Sequence, residues 1–222
     1  MGKTLELTAA DGHKLAAYRA DPSGAPKGAI VVIQEIFGVN HHIRNVTDKF
    51  AAEGYVAIAP ALFDRAQRGV DVGYDAASIA IGREVRGKIK DADMLADTQA
   101  AIDAVSGVGK VAVVGYCLGG TIAYLSATRL NGIVAAVGYY GGGIAAAAAE
   151  KTKAPVMLHF GDADQGIPLT DVDKIRAAHP EIPIHVYHAG HGFSCDERGS
   201  FEPESAKIAL GRTLAFLRER LE

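Results

Sequence analysis

Only two cysteines, Cys117 and Cys195, occur in 222 residues, too few for the disulfide framework with which small secreted domains compensate for a thin core. No apolar run reaches the roughly 18 residues of a membrane-spanning helix. The stretch from Met1 to Glu6 has neither a signal-peptide apolar region nor the Ser or Thr that myristoylation wants at position 6. The chain therefore reads as cytoplasmic and reduced, without a membrane partner, and the two cysteines are expected to remain free. An excess of one charge is also missing: 23 Lys and Arg face 26 Asp and Glu, a net charge of −3. With both signs interspersed, there is no electrostatic case for a nucleic-acid partner. No Pro/Ser-rich linker or repeat divides the sequence, and its 49% apolar content is enough for one α/β core, read as a single domain over residues 1–222.

Short apolar strands alternate with helical patterns almost throughout. Leu5–Leu7 and Leu15–Tyr18 flank Asp11-Gly12, a hairpin signal. Strands are expected over Gly28–Gln34, Tyr55–Ala59, Lys110–Val114, Ile133–Tyr139, Pro155–Phe160 and Ile182–Tyr187. Helices are expected over Asp91–Val105, Leu118–Leu130, Pro168–Ala178 and from about Glu204 to Glu222, and Val46–Glu53 completes another that Gly54 stops, from apolar periodicity and from Gly and Pro stops. The Ala145–Ala149 run reads as a short buried or linking helix. This order predicts a mostly parallel central sheet with helices on both faces and an antiparallel edge, and it places reactive side chains at the C-terminal strand ends.

The stretch Val111–Gly120, V-A-V-V-G-Y-C-L-G-G, is a β-run that breaks into glycines around Cys117. Small residues two before and two after it permit a strained strand-to-helix turn, and the helix starting at Leu118 aims free N–H groups at the raised side chain. This is a nucleophile elbow with sulfur in place of hydroxyl. Asp162 and Asp164 follow a later strand, and His188 and His191 follow the last; nucleophile, acid, histidine is the chain order of the α/β-hydrolase fold. A thiol is only a few per cent ionised at neutral pH, so it needs a histidine, and the histidine needs a carboxylate to fix its tautomer. His191, in a loop between glycines, is favoured over His188, which ends a strand; Asp164 is favoured over Asp162, which is placed to cap its own turn. The loop after the Gly28–Gln34 strand offers the second oxyanion donor, so the N–H groups of Ile36 and Leu118 form the candidate oxyanion hole. Glu35, facing the same cleft, is a candidate to take or share the Cys117 proton.

Q-E-I-F-G-V-N at 34–40, G-Y-C-L-G-G at 115–120, V-G-Y-Y-G at 137–141, the turn ending at Asp164 and A-G-H-G-F at 189–193 together resemble the dienelactone hydrolase (carboxymethylenebutenolidase) family over nearly the whole chain. The resemblance implies an α/β hydrolase with a Cys117–His191–Asp164 triad, Glu35 hydrogen-bonded to the resting thiol, Tyr139 near the pocket, and no cofactor or metal. It also implies two arginines for a substrate carboxylate. The Gly69–Lys90 segment offers Arg83 and Arg86 for the first role, and Arg198, three residues past Cys195, stands near the second.

Sulfur chemistry narrows the substrate. A thiolate leaves more readily than an alkoxide, so only acyl groups with a stabilised leaving oxygen, such as enol lactones and aryl esters, collapse forward to a thioester that water then hydrolyses. Between Tyr140 and Ala154 there is no room for a cap domain, so a shallow cleft and a small acyl group are expected. The implied partner is a small ester or lactone, and the protein a monomer or small homo-oligomer. A general carboxylesterase or thioesterase on the same site is the alternative. Nucleotide binding lacks the G-x-G-x-x-G order; a metal hydrolase built from His159, Asp162, Asp164 and His191 lacks the H-E-x-x-H or H-x-x-E-H spacing and leaves Cys117 idle; a non-catalytic scaffold is disfavoured by the triad. His13, His41, His42, His179 and His185 are expected on surfaces or turns, without a role.

Overall fold

The structure is a computed structural model that describes residues 2–222. The opening hairpin, β1 (Lys3–Thr8) and β2 (Lys14–Ala20), pairs antiparallel around the turn at Asp11-Gly12. Six further strands follow: β3 (Ala29–Ile33), β4 (Val56–Pro60), β5 (Val111–Tyr116), β6 (Ala135–Tyr139), β7 (Val156–Gly161) and β8 (Ile184–Tyr187). They form one eight-stranded sheet in the order β1-β2-β4-β3-β5-β6-β7-β8, parallel from β4 onward, with β2 antiparallel to β4. Strands β3 to β7 are buried along their whole length, as continuous apolar runs covered on both faces must be.

Six helices connect or follow the strands: α1 (His41–Ala52), α2 (Ala76–Gly87), α3 (Asp91–Val105), α4 (Leu118–Arg129), α5 (Leu169–Ala178) and α6 (Pro203–Leu221). Helix α1 starts where the Asn40 side chain accepts the Ile43 N–H at 3.2 Å, which satisfies one of the four free donors of a first turn. The chain leaves β3 through α1 to β4 on one side, and leaves β5 through α4 to β6 on the other. Because parallel crossovers are right-handed, this reversal puts α1 and α4 on opposite faces and opens a crevice where the C-terminal ends of β3 and β5 part. Glu35-Ile36 and Cys117 sit at those two ends.

Each strand lies within two residues of the bounds read from the sequence. Helix α1, which Val46–Glu53 was read as completing, begins at His41, where Asn40 caps it. Helix α2 was not foreseen: it buries Ser78, Gly82 and Val85 while Ile81 stays 41% exposed, which inverts the apolar pattern a sequence reading relies on. The segment between β6 and β7 holds only a short 3-10 turn, Ile144–Ala147, and no cap.

Candidate functional site

Cys117 lies at the β5–α4 junction with φ 55°, in the left-handed region that side chains with a Cβ seldom occupy. Its N–H donates to the Tyr139 carbonyl at 3.0 Å, which ties the elbow to β6. A Cβ at Gly115 would collide with the Gly119 carbonyl, and one at Gly119 with that of Ile33, so α4 approaches β5 and β3 this closely only through glycine. Leu118, the first residue of α4, has no carbonyl four residues back within the helix, and its N–H is free to face the cleft.

The Cys117 sulfur is 3.1 Å from Nε2 of His191, and Nδ1 of His191 is 2.7 Å from Oδ2 of Asp164. Asp164 is buried, and its other oxygen accepts the Gly166 N–H at 2.8 Å, so the carboxylate is oriented from both sides. The His191 carbonyl accepts from Ser200 Oγ at 2.7 Å. Burial pulls the His191 pKa down, but the hydrogen bond to Asp164, that to Cys117 and the negative charge at both neighbours outweigh it and raise it to about 10. The site thus favours an imidazolium held between a carboxylate and a sulfur. His188 instead stands 97% exposed, paired with Asp162 at 3.1 Å, away from the thiol.

Glu35 is not on the thiol. Its Oε1 accepts from Arg198 Nη1 at 2.9 Å, both side chains being largely buried, and its Oε2 has no hydrogen-bond partner among the described residues. A guanidinium holds a buried carboxylate in a way a neutral thiol cannot, because it supplies the compensating charge that burial demands. Arg198 also lies 5.7 Å from the rings of Phe37 and Tyr74. Behind Glu35 is Cys195, whose thiol is pushed up to about 12 by burial and by the Glu35 charge; both cysteines are free.

Other expectations need correction. Arg83 is exposed on α2 and does not line the cleft, whereas Arg86, one turn on, does; it is bound to Asp91 and to the Ile89 carbonyl. The Tyr139 side chain points into the core, its hydroxyl 2.6 Å from Thr213 Oγ1, because it continues the alternation of β6. The aromatic ring beside the site is that of Tyr140, at φ 38° just past the strand, 5.1 Å from the His191 ring and hydrogen-bonded to Ser194 at 2.7 Å. The Tyr139-Tyr140 doublet at a strand end was the available signal, since adjacent residues there face opposite ways. His42 and His179 are buried rather than superficial, and His159 spends its two nitrogens on Tyr187 and Thr213 in the core. A ring nitrogen of His42, a Glu35 oxygen and the Cys195 sulfur lie within 4.8 Å of one another. The guanidinium already on Glu35 opposes a metal cation there.

The cleft over Cys117 has a volume of about 480 Å³ and is lined by Ile36, Leu118, Thr121, Leu125, Ile167 and His191, among others. It continues along α4 as far as Arg129 and Glu150, longer than the small-acyl cleft expected from the missing cap. A separate, largely apolar cavity of about 430 Å³ lies between α1 and α6; it does not reach Cys117. Among the described residues, no helix is long and apolar enough to cross a membrane.

A sequence model described as the dienelactone hydrolase family matches residues 15–221. A carboxymethylenebutenolidase of Pseudomonas putida is 34% identical over 227 residues, which cover 96% of this chain and 94% of that one. A Synechocystis protein provisionally given the same name is 36% identical over 216 residues, 88% of each chain. Among solved structures, a crystal structure from Klebsiella pneumoniae, provisionally named a dienelactone hydrolase, superposes with a TM-score of 0.84 at 32% identity, covering 97% of this chain and 98% of that one.

Proposed function

Because the chain belongs to the dienelactone hydrolase family and is a hydrolase of ester bonds, we propose that it cleaves activated esters and enol lactones through a Cys117–His191–Asp164 triad and a thioester intermediate. The observation that carries this reading is the unbroken chain from the Cys117 sulfur through His191 to buried Asp164, at 3.1 and 2.7 Å.

In this mechanism the proton of the Cys117 sulfur passes to Nε2 of His191 before the sulfur attacks the carbonyl carbon, and Asp164 stabilises the resulting imidazolium. The carbonyl oxygen gains its negative charge against the N–H groups of Ile36 and Leu118. Collapse breaks the acyl C–O bond, and the departing enolate or phenolate collects the proton from His191. Water, deprotonated by His191, then attacks the thioester; the C–S bond breaks, and the released sulfur recovers the proton. An alkoxide is a poorer leaving group than sulfur, so ordinary alkyl esters return to substrate. Glu35 is a second proton acceptor that reaches Cys117 only after leaving Arg198.

Alkylation of the protein with mass mapping, followed by assay on an aryl ester, tests the assignment. Modification of Cys117 should abolish turnover, and His191→Ala should cost as much as Cys117→Ala because residues acting as a unit are not additive. His188→Ala should stay near wild type. Activity surviving complete alkylation of Cys117 would remove the nucleophile from the proposal.

A further inference from the structure

Helix α4 is buried almost all round, as the central helix of such a sheet should be, with Ile122 to Thr128 hidden without a break. Its one accessible stripe is Leu118, Thr121 and Arg129, with Leu125 at the base of the cleft between them. Spacings of three, four and four residues put these on a single helix face. The stripe starts at the residue after Cys117, so the cleft is a trough that runs from the sulfur down α4, with Ala146, Ala147 and Ile167 along its walls.

Among the described residues, the arginines that line the trough are both paired, which leaves neither free for a substrate anion. Arg86 is bound to Asp91. At the far end, Arg129 Nε donates to Glu150 Oε2 at 2.9 Å, closing the floor with an ion pair. An anionic substrate would have to strip one of these arginines from its acid, whereas an apolar chain need only displace water from Leu118, Leu125 and the alanine wall.

Resting on the reading of Cys117 as nucleophile, we infer that the preferred substrate carries a neutral, extended apolar acyl chain of about eight carbons, lying along α4. The acyl part occupies the trough because it stays bonded to sulfur after the leaving group, which must meet His191 for its proton, has gone. From Leu118 to Leu125 the helix rises about 10 Å. With C–C bonds of about 1.5 Å, an extended chain advances roughly 1.3 Å per carbon, so about eight carbons span that distance. A longer chain runs its methyl end against the Arg129–Glu150 pair and desolvates it.

A series of aryl esters with unbranched acyl chains from acetate to dodecanoate decides the matter. From acetate to octanoate, kcat/KM should rise at least about tenfold, given partial burial of each added methylene, and it should stop rising beyond decanoate. Ala146→Trp, an exposed wall position, should flatten the rise. Acetate turnover with a flat or falling wild-type series overturns this inference alone, as does a rise seen only when the alcohol side is lengthened. No turnover of any ester, with no acyl adduct on Cys117, overturns the nucleophile reading and this inference with it.

Discussion

Asp164→Asn keeps the volume of the side chain and, with the amide oxygen facing Gly166, the turn bond of 2.8 Å. The amide nitrogen then faces His191 Nδ1 in place of the carboxylate oxygen now 2.7 Å away. Two losses follow. A hydrogen bond to a charged group contributes about 1.5–3 kcal/mol, which at about 1.4 kcal/mol per decade corresponds to roughly ten- to hundredfold in rate. An N–H facing Nδ1 also forces the ring proton onto Nε2, the atom that must accept from sulfur; the same tautomer error costs on the order of 10⁴ in a serine triad. We expect kcat/KM on an aryl ester to fall between about 10² and 10⁴ with the fold intact. The substitution also predicts a change in pH dependence. His191 titrates at about 10 in the folded protein and near 6.5 when unfolded, so its protonation stabilises the fold fully below about 6.5 and progressively less as pH rises toward 10. Urea unfolding between pH 6 and 10 should show a shallower decline in the variant than in the wild type. A variant within threefold of wild-type activity, or with an identical pH dependence of stability, would refute the argument.

Two further substitutions probe the surroundings. Glu35→Gln leaves Arg198 buried opposite a neutral amide, so urea unfolding should show a loss of about 3 kcal/mol or more and kcat should fall at least about tenfold; adding Arg198→Met should restore stability but not kcat, and a single variant as stable as wild type would remove the pair from the account. A methyl at Gly82 would run into the Ile36 carbonyl, so Gly82→Ala should displace an oxyanion donor and lower kcat about tenfold or more with unchanged circular dichroism; unaltered kcat would mean the Ile36 N–H takes no part.

The legible parts of this molecule are those where local chemistry and tertiary environment agree. Buried parallel strands such as Val111–Tyr116 are nearly continuous apolar runs, so they are visible without knowledge of their neighbours. Cys117, Asp164 and His191 were singled out by their order at strand ends, and the structure places His191 within hydrogen-bond distance of the other two. What stayed hidden depends on contacts between distant segments. Helix α2 packs through Gly82 against the Ile36 loop, and no apolar period announces a helix whose contact face is a glycine. Arg86 rather than Arg83 reaches the cleft for the same reason, since the helix that orients both was not seen. Tyr140 and Tyr139 differ only in which side of a strand end they fall, and the partner of Glu35 lies 163 positions along the chain.

The backbone of Cys117 sits at φ 55°, where a Cβ is strained by about 1 kcal/mol or more and glycine is not. Stability and reactivity therefore make opposite demands on one position. The turn that lifts sulfur above the sheet is a turn the polypeptide would form more readily with no side chain there at all. Cys117→Gly should accordingly unfold at a higher urea concentration than the wild type while losing ester turnover; an unchanged or lower midpoint would show that the contacts of the sulfur outweigh the strain. If the midpoint rises, variants selected for thermal robustness alone would drift toward the inactive glycine, and only a screen that also reads turnover would keep the cysteine.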